Sequence, residues 1–449
     1  MKHIATLLVI GLPMASQGQE VSLTRIASPD TQIRVLGNRP ALHNGTVAFE
    51  GYLGPLYAQG EVIATASADG LGGYQILVSV GDPRPDRPGS VFSAFGNPGI
   101  YNGKVLFYGR ETAGFASTYM SDNGAPYELY SDGGIFDPFI GPSGVTSPSS
   151  PAGVSFRDNA GNDQLLGQRN DPFVCASGVF GLTSVAGFRI APMSDHHIIW
   201  PTKVTSVEFD RAIVAYDIST DSLYCIVTQA DTIPNFGGPF DFFYKSDTDG
   251  VLAAFIGYDQ NIGFNQHEGV YIRDISGTGP ITMIADKLTT SPSGGNFGNF
   301  VNVSIDGDLI IFEGCSGGNF GCDRYGIYGC FLDNGVPGKI FNIITSDDMI
   351  DGRPVIDLTI NPRGQDGNQL AFDIRHDAQN ASLYVATITP PNQAGCIPDT
   401  NGDGMLSPAD FTAWIYAFNN ALPECDQNGD GSCTPPDFTA WISNFNDGC

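Results

Sequence analysis

The stretch Asp308-Leu309-Ile310-Ile311-Phe312-Glu313-Gly314 has relatives along the whole chain. The same design, a turn, then apolar residues, then an aromatic, recurs as GTVAFEG (45–51), GKVLFYG (103–109), AGVSFRD (152–158), HHIIWPT (196–202), VLAAFIG (251–257) and NQLAFDI (368–374). The aromatics are Phe49, Phe107, Phe156, Trp200, Phe255, Phe312 and Phe372, spaced 44 to 60 residues apart. A second register runs through LTRIAS (23–28), VIATAS (62–67), YELYSD (127–132), FVCASG (173–178), YCIVTQ (224–229), ITMIAD (281–286) and FNIITS (341–346). β-Branched and aromatic residues between turns such as Asn334-Gly335 read as short strands joined by hairpins.

A period of about 50 residues built only of short strands is the signature of a β-propeller. The fold expected is mainly β: a propeller over 21–389, counted as seven-bladed with six or eight blades as alternatives because the 67–107 interval is long, followed by a small all-α module. The chain enters on a second-register strand and ends the repeat on a first-register copy plus SLYVATI (382–388). The last blade therefore lacks a strand that the N-terminal one can supply, which removes an exposed edge. The segment 74–90 reads as extra to the repeat. SIDGDLIIFEG (304–314) and SDTDGVLAAFIG (246–257) resemble single hairpins of TolB-like propellers, a resemblance that bears on fold alone.

Acidic side chains number 48 against 21 basic, for a net charge of −27, which excludes nucleic acid and anionic membrane surfaces as partners. Residues 1–18 read as a secretory signal, with Lys2, the apolar run Ile4–Leu12 and a small-x-small site at Ser16-Gln17-Gly18. No segment is long enough to span a membrane. Secretion or a cell-surface location follows, and nine cysteines then invite disulfides. In EGCSGGNFGCDRYGIYGC the spacing of Cys315, Cys322 and Cys330 does not match zinc ligand pairs. It predicts one local bridge and a leftover thiol.

The propeller carries no catalytic signature. His196-His197 falls on opposite faces of a strand, His267-Glu268 lacks a second histidine, and no nucleophile elbow exists. Glu50, Asp247, Asp249, Asp306, Asp308 and Glu313 are abundant carboxylates, but most Asp-Gly sites form turns.

After a linker at 390–395, residues 396–449 contain one unit twice at an offset of 27 residues. A twelve-residue calcium loop takes ligands from positions 1, 3, 5, 7, 9 and 12, with Gly at 6. In the first loop these are Asp399, Asn401, Asp403, Met405 (through its carbonyl), Ser407 and Asp410. In the second they are Asp426, Asn428, Asp430, Ser432, Thr434 and Asp437. Two calcium ions (Ca2+) are expected. Each loop leads into an amphipathic helix, with Phe411, Trp414, Ile415 and Phe418 repeated as Phe438, Trp441, Ile442 and Phe445. Neither loop has an entering helix.

Duplicated loops, exit helices only and Asp at position 12 resemble a type I dockerin, and more closely the cysteine-bearing variant of planctomycete-type exported proteins. The resemblance covers 396–449. It implies a calcium-dependent plug that docks on a cohesin-like or cell-surface anchoring protein. Pro408-Ala409 and Pro435-Pro436 stand where cellulosomal dockerins carry polar or small hydroxyl residues, a departure that points away from a standard cohesin. The four cysteines allow three pairings. A compact module with adjoining termini favours Cys396–Cys449, leaving Cys425–Cys433. The function expected is a secreted calcium-binding protein whose non-catalytic propeller binds or displays an extracellular ligand. The alternative is a carbohydrate-active hydrolase or lyase acting on a polysaccharide. Carboxylates lining the propeller axis would favour the latter, and a neutral lining the former.

Overall fold

The computed structural model describes residues 20–390 and 398–447, apart from 29–30, 32, 36–39, 54–59, 112–115, 123–124, 131–137, 149–153, 168–171, 176–177, 186–190, 206–210, 260–266, 318–321, 378–379, 402–406, 421 and 429–431. The expected leader at 1–18 and most of the linker lie outside these residues. The chain divides into two compact units, one holding Leu23–Ala386 and the other Thr387–Cys449.

The first unit is a seven-bladed propeller of antiparallel sheets. Blade 6 shows the plan most fully: Phe297–Asp306 innermost, then Leu309–Ser316, Arg324–Asp333 and Val336–Thr345. Blade 5 repeats it with Phe242–Thr248, Leu252–Tyr258, Gly269–Asp274 and Thr282–Asp286. Blade 2 does so with Ala94–Tyr101, Lys104–Arg110, Ala116–Asp122 and Tyr127–Tyr130. Blade 7 takes Asp357–Asp366, Gln369–Arg375 and Ala381–Ile388 from the end of the repeat, and its fourth strand is Val21–Ala27. The ring is thus closed by the N-terminal strand, as the order of the registers required.

The repeated aromatic has a physical role. Phe312 belongs to a four-ring cluster with Phe297, Phe300 and Tyr328. Tyr328 lies 4.9 Å from Phe297 at 88° and 5.6 Å from Phe312 at 25°. Phe255 sits likewise with Phe240, Phe243 and Tyr271, with separations of 5.1 Å at 90° and 5.7 Å at 28°. Phe107 sits with Phe92, Phe95 and Tyr119, at 4.9 Å and 81° and at 5.6 Å and 22°. Edge-to-face and offset rings satisfy the aromatic quadrupole while burying large apolar area. The Gly two residues after the aromatic is part of the cluster. A Cβ on Gly109 would lie 2.7 Å from the Phe92 ring, and one on Gly257 2.9 Å from Phe240.

Three strand assignments from sequence are corrected. Blade 3 has Gly144–Pro148 as its second strand, and Val154–Asp158, with Phe156, is its third. Phe156 there packs in one cluster with Trp200 and Met193 of blade 4, so the ring is supplied from a neighbouring strand and the pattern shifts by one. VIATAS forms the third strand of blade 1, and Tyr74–Ser79, read as extra, is its outer strand. FVCASG opens a hairpin, Pro172–Cys175 with Gly178–Val185, added to blade 4. The Cys175–Cys225 disulfide and a parallel bridge from Val174 to Tyr224 tie that hairpin to the blade's outer strand. Cys315–Cys322 forms as expected, and Cys330 is the buried leftover thiol.

Gly109→Ala should cost about 1–3 kcal/mol, the usual range for overpacking a filled core. Gly81, which has nothing within 4 Å of an added Cβ but a φ of +94°, is the comparison for backbone strain alone. Guanidinium unfolding of both variants measures the difference, and equal losses would remove the packing argument.

Candidate functional site

The inner strands turn back into the second strands at one end of the propeller axis, and a cavity of about 340 Å³ opens there. Its wall draws on all seven blades. Counting back six residues from the repeated aromatic gives His43, Tyr101, Ser194, Asp249, Asp306 and Asp366, every one of which lines this cavity. One position of the repeat therefore builds the rim. Asp195 and Asp247 add two more carboxylates, and Arg363 and Gln365 come from an irregular stretch of the inner strand of blade 7.

The rim also holds the ring together. Asp306 Oδ2 accepts a hydrogen bond of 2.6 Å from Gly367 N in blade 7, and Asp366 Oδ2 accepts one of 2.6 Å from Asn44 N in blade 1. His43 Nε2 lies 3.1 Å from Asn102 Oδ1 in blade 2, and its ring stacks on Tyr101 at 4.3 Å. In each case the rim residue reaches the turn residue of the next blade. One level deeper, Asp247 Oδ2 accepts from Ser304 Oγ and Ile305 N of blade 6, both at 3.0 Å. Arg363 spans the axis, since its Nη1 donates to Pro138 O beside blade 3 at 2.6 Å. Hydrogen bonds to charged groups contribute about 1.5–3 kcal/mol each, so the belt is a substantial part of blade registration.

Burial makes these acids unusual. It pushes the Asp247 carboxyl up to about 8. It also raises Asp306, with further upward pushes from the charges of Asp366 and Asp249 that the Gly367 N–H and His43 oppose. Of the carboxylates singled out in sequence, Asp247, Asp249 and Asp306 reach the cavity, whereas Glu50, Asp308 and Glu313 are not part of its wall. Glu313 instead accepts from Asn302 Nδ2 at 2.7 Å in its own blade. Glu50 and Asp373 form a buried acidic pair: burial, then Glu61, pushes Glu50 up to about 10, and burial raises Asp373 well above the carboxylate range. His196 is exposed, and His197 is half-buried with its pKa lowered by burial. His267 stacks on Phe236 at 3.8 Å. Asp366, Asp195, Arg363, Gln365, His43 and Tyr101 were missed in sequence. The six-residue offset from the aromatic would have found three of them.

In the second unit, α1 (Pro408–Asn419) and α2 (Pro435–Asp447) follow the two loops. They pack face to face, with Phe411 5.1 Å from Trp441 and Trp414 5.4 Å from Phe438. Each tryptophan then reaches the other repeat. Trp414 Nε1 donates to Cys425 O and Trp441 Nε1 to Pro398 O, both at 3.2 Å, and those carbonyls directly precede Asp426 and Asp399. Ile415 and Ile442 do not join this face, since each is 41% exposed. A two-helix module has only one facing surface, and Trp414 with Ala417 fills it.

Asp410 and Asp437, the residues expected at position 12 of the two loops, are both fully buried. Asp410 accepts from Ser407 N at 2.8 Å and Asn401 N at 3.3 Å, and closes a capping box with Ser407. Asp437 accepts from Thr434 N at 2.7 Å, Thr434 Oγ1 at 2.9 Å, Gln427 N at 3.1 Å and Asn428 N at 3.2 Å. Burial alone would raise the Asp437 carboxyl, yet these donors hold it below its usual value. Pro408 and Pro435 open their helices, where the missing N–H costs nothing. The departure from the cellulosomal pattern at these positions thus has a local structural reason. Cys425–Cys433 is bridged across the start of the second loop, with Cα atoms 5.5 Å apart. Asp403, Met405, Asp430, Cys396 and Cys449 lie outside the described residues. Among the described residues, no group of three His, Cys, Asp or Glu could hold a metal by itself.

No family model matches the chain, and no curated protein matches it. Solved structures do. The β-propeller domain of the Trilobed protease from Pyrococcus furiosus is 9% identical, with a TM-score of 0.43 over 73% of this chain and 94% of that one. An acylaminoacyl peptidase is 11% identical, with a TM-score of 0.46 over 80% of this chain and 53% of that one. A polysaccharide lyase is 8% identical, with a TM-score of 0.44 over 78% and 90%. At such identities no activity carries over. No helix among the described residues is long and apolar enough to cross a membrane.

The buried acids set a pH dependence. A carboxyl whose folded pKa is raised binds its proton more tightly folded than unfolded, so its contribution is complete below the unfolded value and is lost as pH rises through the folded one. For Asp247 that window runs from 3.8 to about 8, and Glu50 and Asp373 act in the same sense. Asp217, held at about 2 first by its hydrogen bond from Ser219, titrates below the window. Thermal unfolding should therefore occur several degrees higher at pH 5 than at pH 8. Asp373→Asn should narrow that gap by raising the midpoint at pH 8 only. A midpoint that climbs with pH across this range would contradict the assignment.

Proposed function

We propose that this protein is a secreted calcium-binding protein with two working parts. A dockerin-like C-terminal module binds two calcium ions and anchors the molecule to a cohesin-like or cell-surface protein. The propeller binds an extracellular ligand at its axial cavity. One observation carries the calcium reading. Residues 396–449 hold eight acidic side chains and no Lys, Arg or His, yet Asp410 and Asp437 are fully buried. Their N–H donors keep these carboxylates suited to the charged form, and the module has no cationic side chain to balance its eight acids, a balance that a divalent cation would supply. Calcium takes six to eight oxygens. Asp399, Asn401, Asp403, Met405, Ser407 and Asp410 would supply the first set, and Asp426, Asn428, Asp430, Ser432, Thr434 and Asp437 the second. Bound calcium would also stabilise a module too small to bury much core.

Three disulfides among the described residues fit an oxidising, extracellular setting. The exposed pair Ile415 and Ile442, equivalent in the two repeats, fits a docking surface that presents one pattern twice. A second reading, hydrolysis or lysis of a polysaccharide, is the one that a carboxylate-lined axis favours, and it draws on the rim carboxylates Asp249, Asp306 and Asp366. Two of them already accept backbone N–H groups of the neighbouring blade, which favours a binding platform over acid–base work.

Calorimetric titration of the calcium-stripped full chain should show two calcium ions per molecule. Asp410→Ala with Asp437→Ala should abolish both, leaving the propeller's unfolding transition in place. Absence of uptake at millimolar calcium would overturn this reading. Release of reducing or unsaturated sugar from a polysaccharide, lost in Asp306→Asn, would establish the enzymatic one instead.

A further inference from the structure

A second concavity shares no wall residue with the axial cavity. It is an open trough of about 610 Å³ on the connection from blade 4 to blade 5. The loop 231–237 forms one side, and the turn between Gly269–Asp274 and Thr282–Asp286 forms the other. Two charged side chains line it, Arg273 at 13% exposure and Asp231 at 26%. Arg273 Nε donates to Gly279 O at 2.8 Å, and Nη1 donates to Ile226 O at 2.7 Å and Asp231 Oδ1 at 3.1 Å. These bonds fix the guanidinium plane. Nη2 has no hydrogen-bond partner among the described residues, and it is not sealed from solvent.

The other fixed group is the Phe236 ring, 38% exposed. It stacks on His267 at 3.8 Å and 27°, so one face is backed by a second ring. The loop that carries it is closed by Ile233 N donating to Gly238 O at 2.8 Å, and Gly237 N donating back to Ile233 O at 3.2 Å. A Cβ on Gly238 would lie 2.3 Å from the Phe236 ring. Ring and guanidinium are therefore both placed before a ligand arrives, which lowers the ordering cost of binding.

Charge narrows the ligand. Arg273 and Asp231 compensate each other within the trough, and a net charge of −27 repels anions approaching it. The ligand that fits is neutral, offers an oxygen acceptor to Nη2 and has an apolar face for Phe236. A sugar ring combines these, since its hydroxyls accept and donate while its C–H face is apolar. Thr232 and Asn235, both exposed, add groups of matching polarity. A few placed polar groups in an otherwise apolar wall are the usual composition of a small-ligand site.

We propose that this trough binds one neutral pyranose unit of a saccharide chain, with its C–H face on Phe236 and a hydroxyl oxygen accepting from Arg273 Nη2. The open ends let the rest of the chain run past. The site is separate from the axial cavity, and it stands whether or not that cavity holds a ligand.

The test is saturation-transfer NMR titration of the full-length protein with cellotetraose, mannotetraose and xylotetraose, and with tetragalacturonate as the charged comparison. At least one neutral tetraose should bind, and more tightly than tetragalacturonate. Phe236→Ala should weaken that binding ten-fold or more, and Phe236→Tyr, which keeps the ring, should stay within about two-fold of the unaltered protein. Tyr127→Ala, which removes an exposed aromatic outside the trough, should change nothing. No binding of any neutral tetraose, tighter binding of tetragalacturonate, or insensitivity to Phe236→Ala would overturn the proposal. Binding that survives Phe236→Ala but is lost in Asp306→Asn would place the sugar in the axial cavity instead.

Discussion

The packing of one aromatic ring against three others, with a glycine beneath, is the constraint on which the propeller depends. Three blades build it with nearly the same separations and angles. The first and second rings come from the inner strand or its approach, the third from the second strand and the fourth from the third strand. The cluster therefore fixes three strands of a blade against one another. In blades 2 and 5 the glycine is required because a ring occupies the place of its side chain. A four-stranded sheet cannot bury both faces alone, and these rings fill the space between one blade and the next.

That constraint also creates the rim. Once the aromatic is fixed, the residue six positions earlier is delivered to the axial end of the inner strand in every blade that follows the plan. Aspartate there performs two tasks. In Asp306 and Asp366 one oxygen accepts an N–H from the next blade, and each carboxylate adds to the charge of the cavity. Burying such groups is costly, and the raised acids Asp247, Asp306, Glu50 and Asp373 record that cost. The fold holds them because packing elsewhere is strong enough to do so.

The C-terminal unit works by exchange between two copies. Each tryptophan donates to the carbonyl that directly precedes the first residue of the opposite loop, which ties the two repeats together. Each position-12 aspartate serves its own helix as a cap and its own loop as a closing acceptor. Its helix prolines are explained by helix initiation, and its exposed isoleucines are left over because two helices have only one mutual face.

Sequence by itself determined the periodicities. Seven blades, an N-terminal strand to complete the last one, a local cysteine bridge and a duplicated unit with one helix per copy were all legible, because each is set by spacing along the chain. Blade 3 misled, because its ring comes from a different strand and spacing alone does not say which strand supplies a shared core. FVCASG misled for a related reason, since an inserted hairpin carries the same alternation as a blade strand. The cavity was decided only by the tertiary structure. Asp249, Asp306, Asp366, His43, Arg363 and Gln365 are scattered over more than three hundred residues, and they meet because ring closure brings every blade's inner strand to one axis. Carboxylates of the same type, such as Glu313 and Asp308, remain outside the cavity; only the six-residue offset from the repeated aromatic separates Asp249, Asp306 and Asp366 from them, and that offset gains its meaning once the ring is closed.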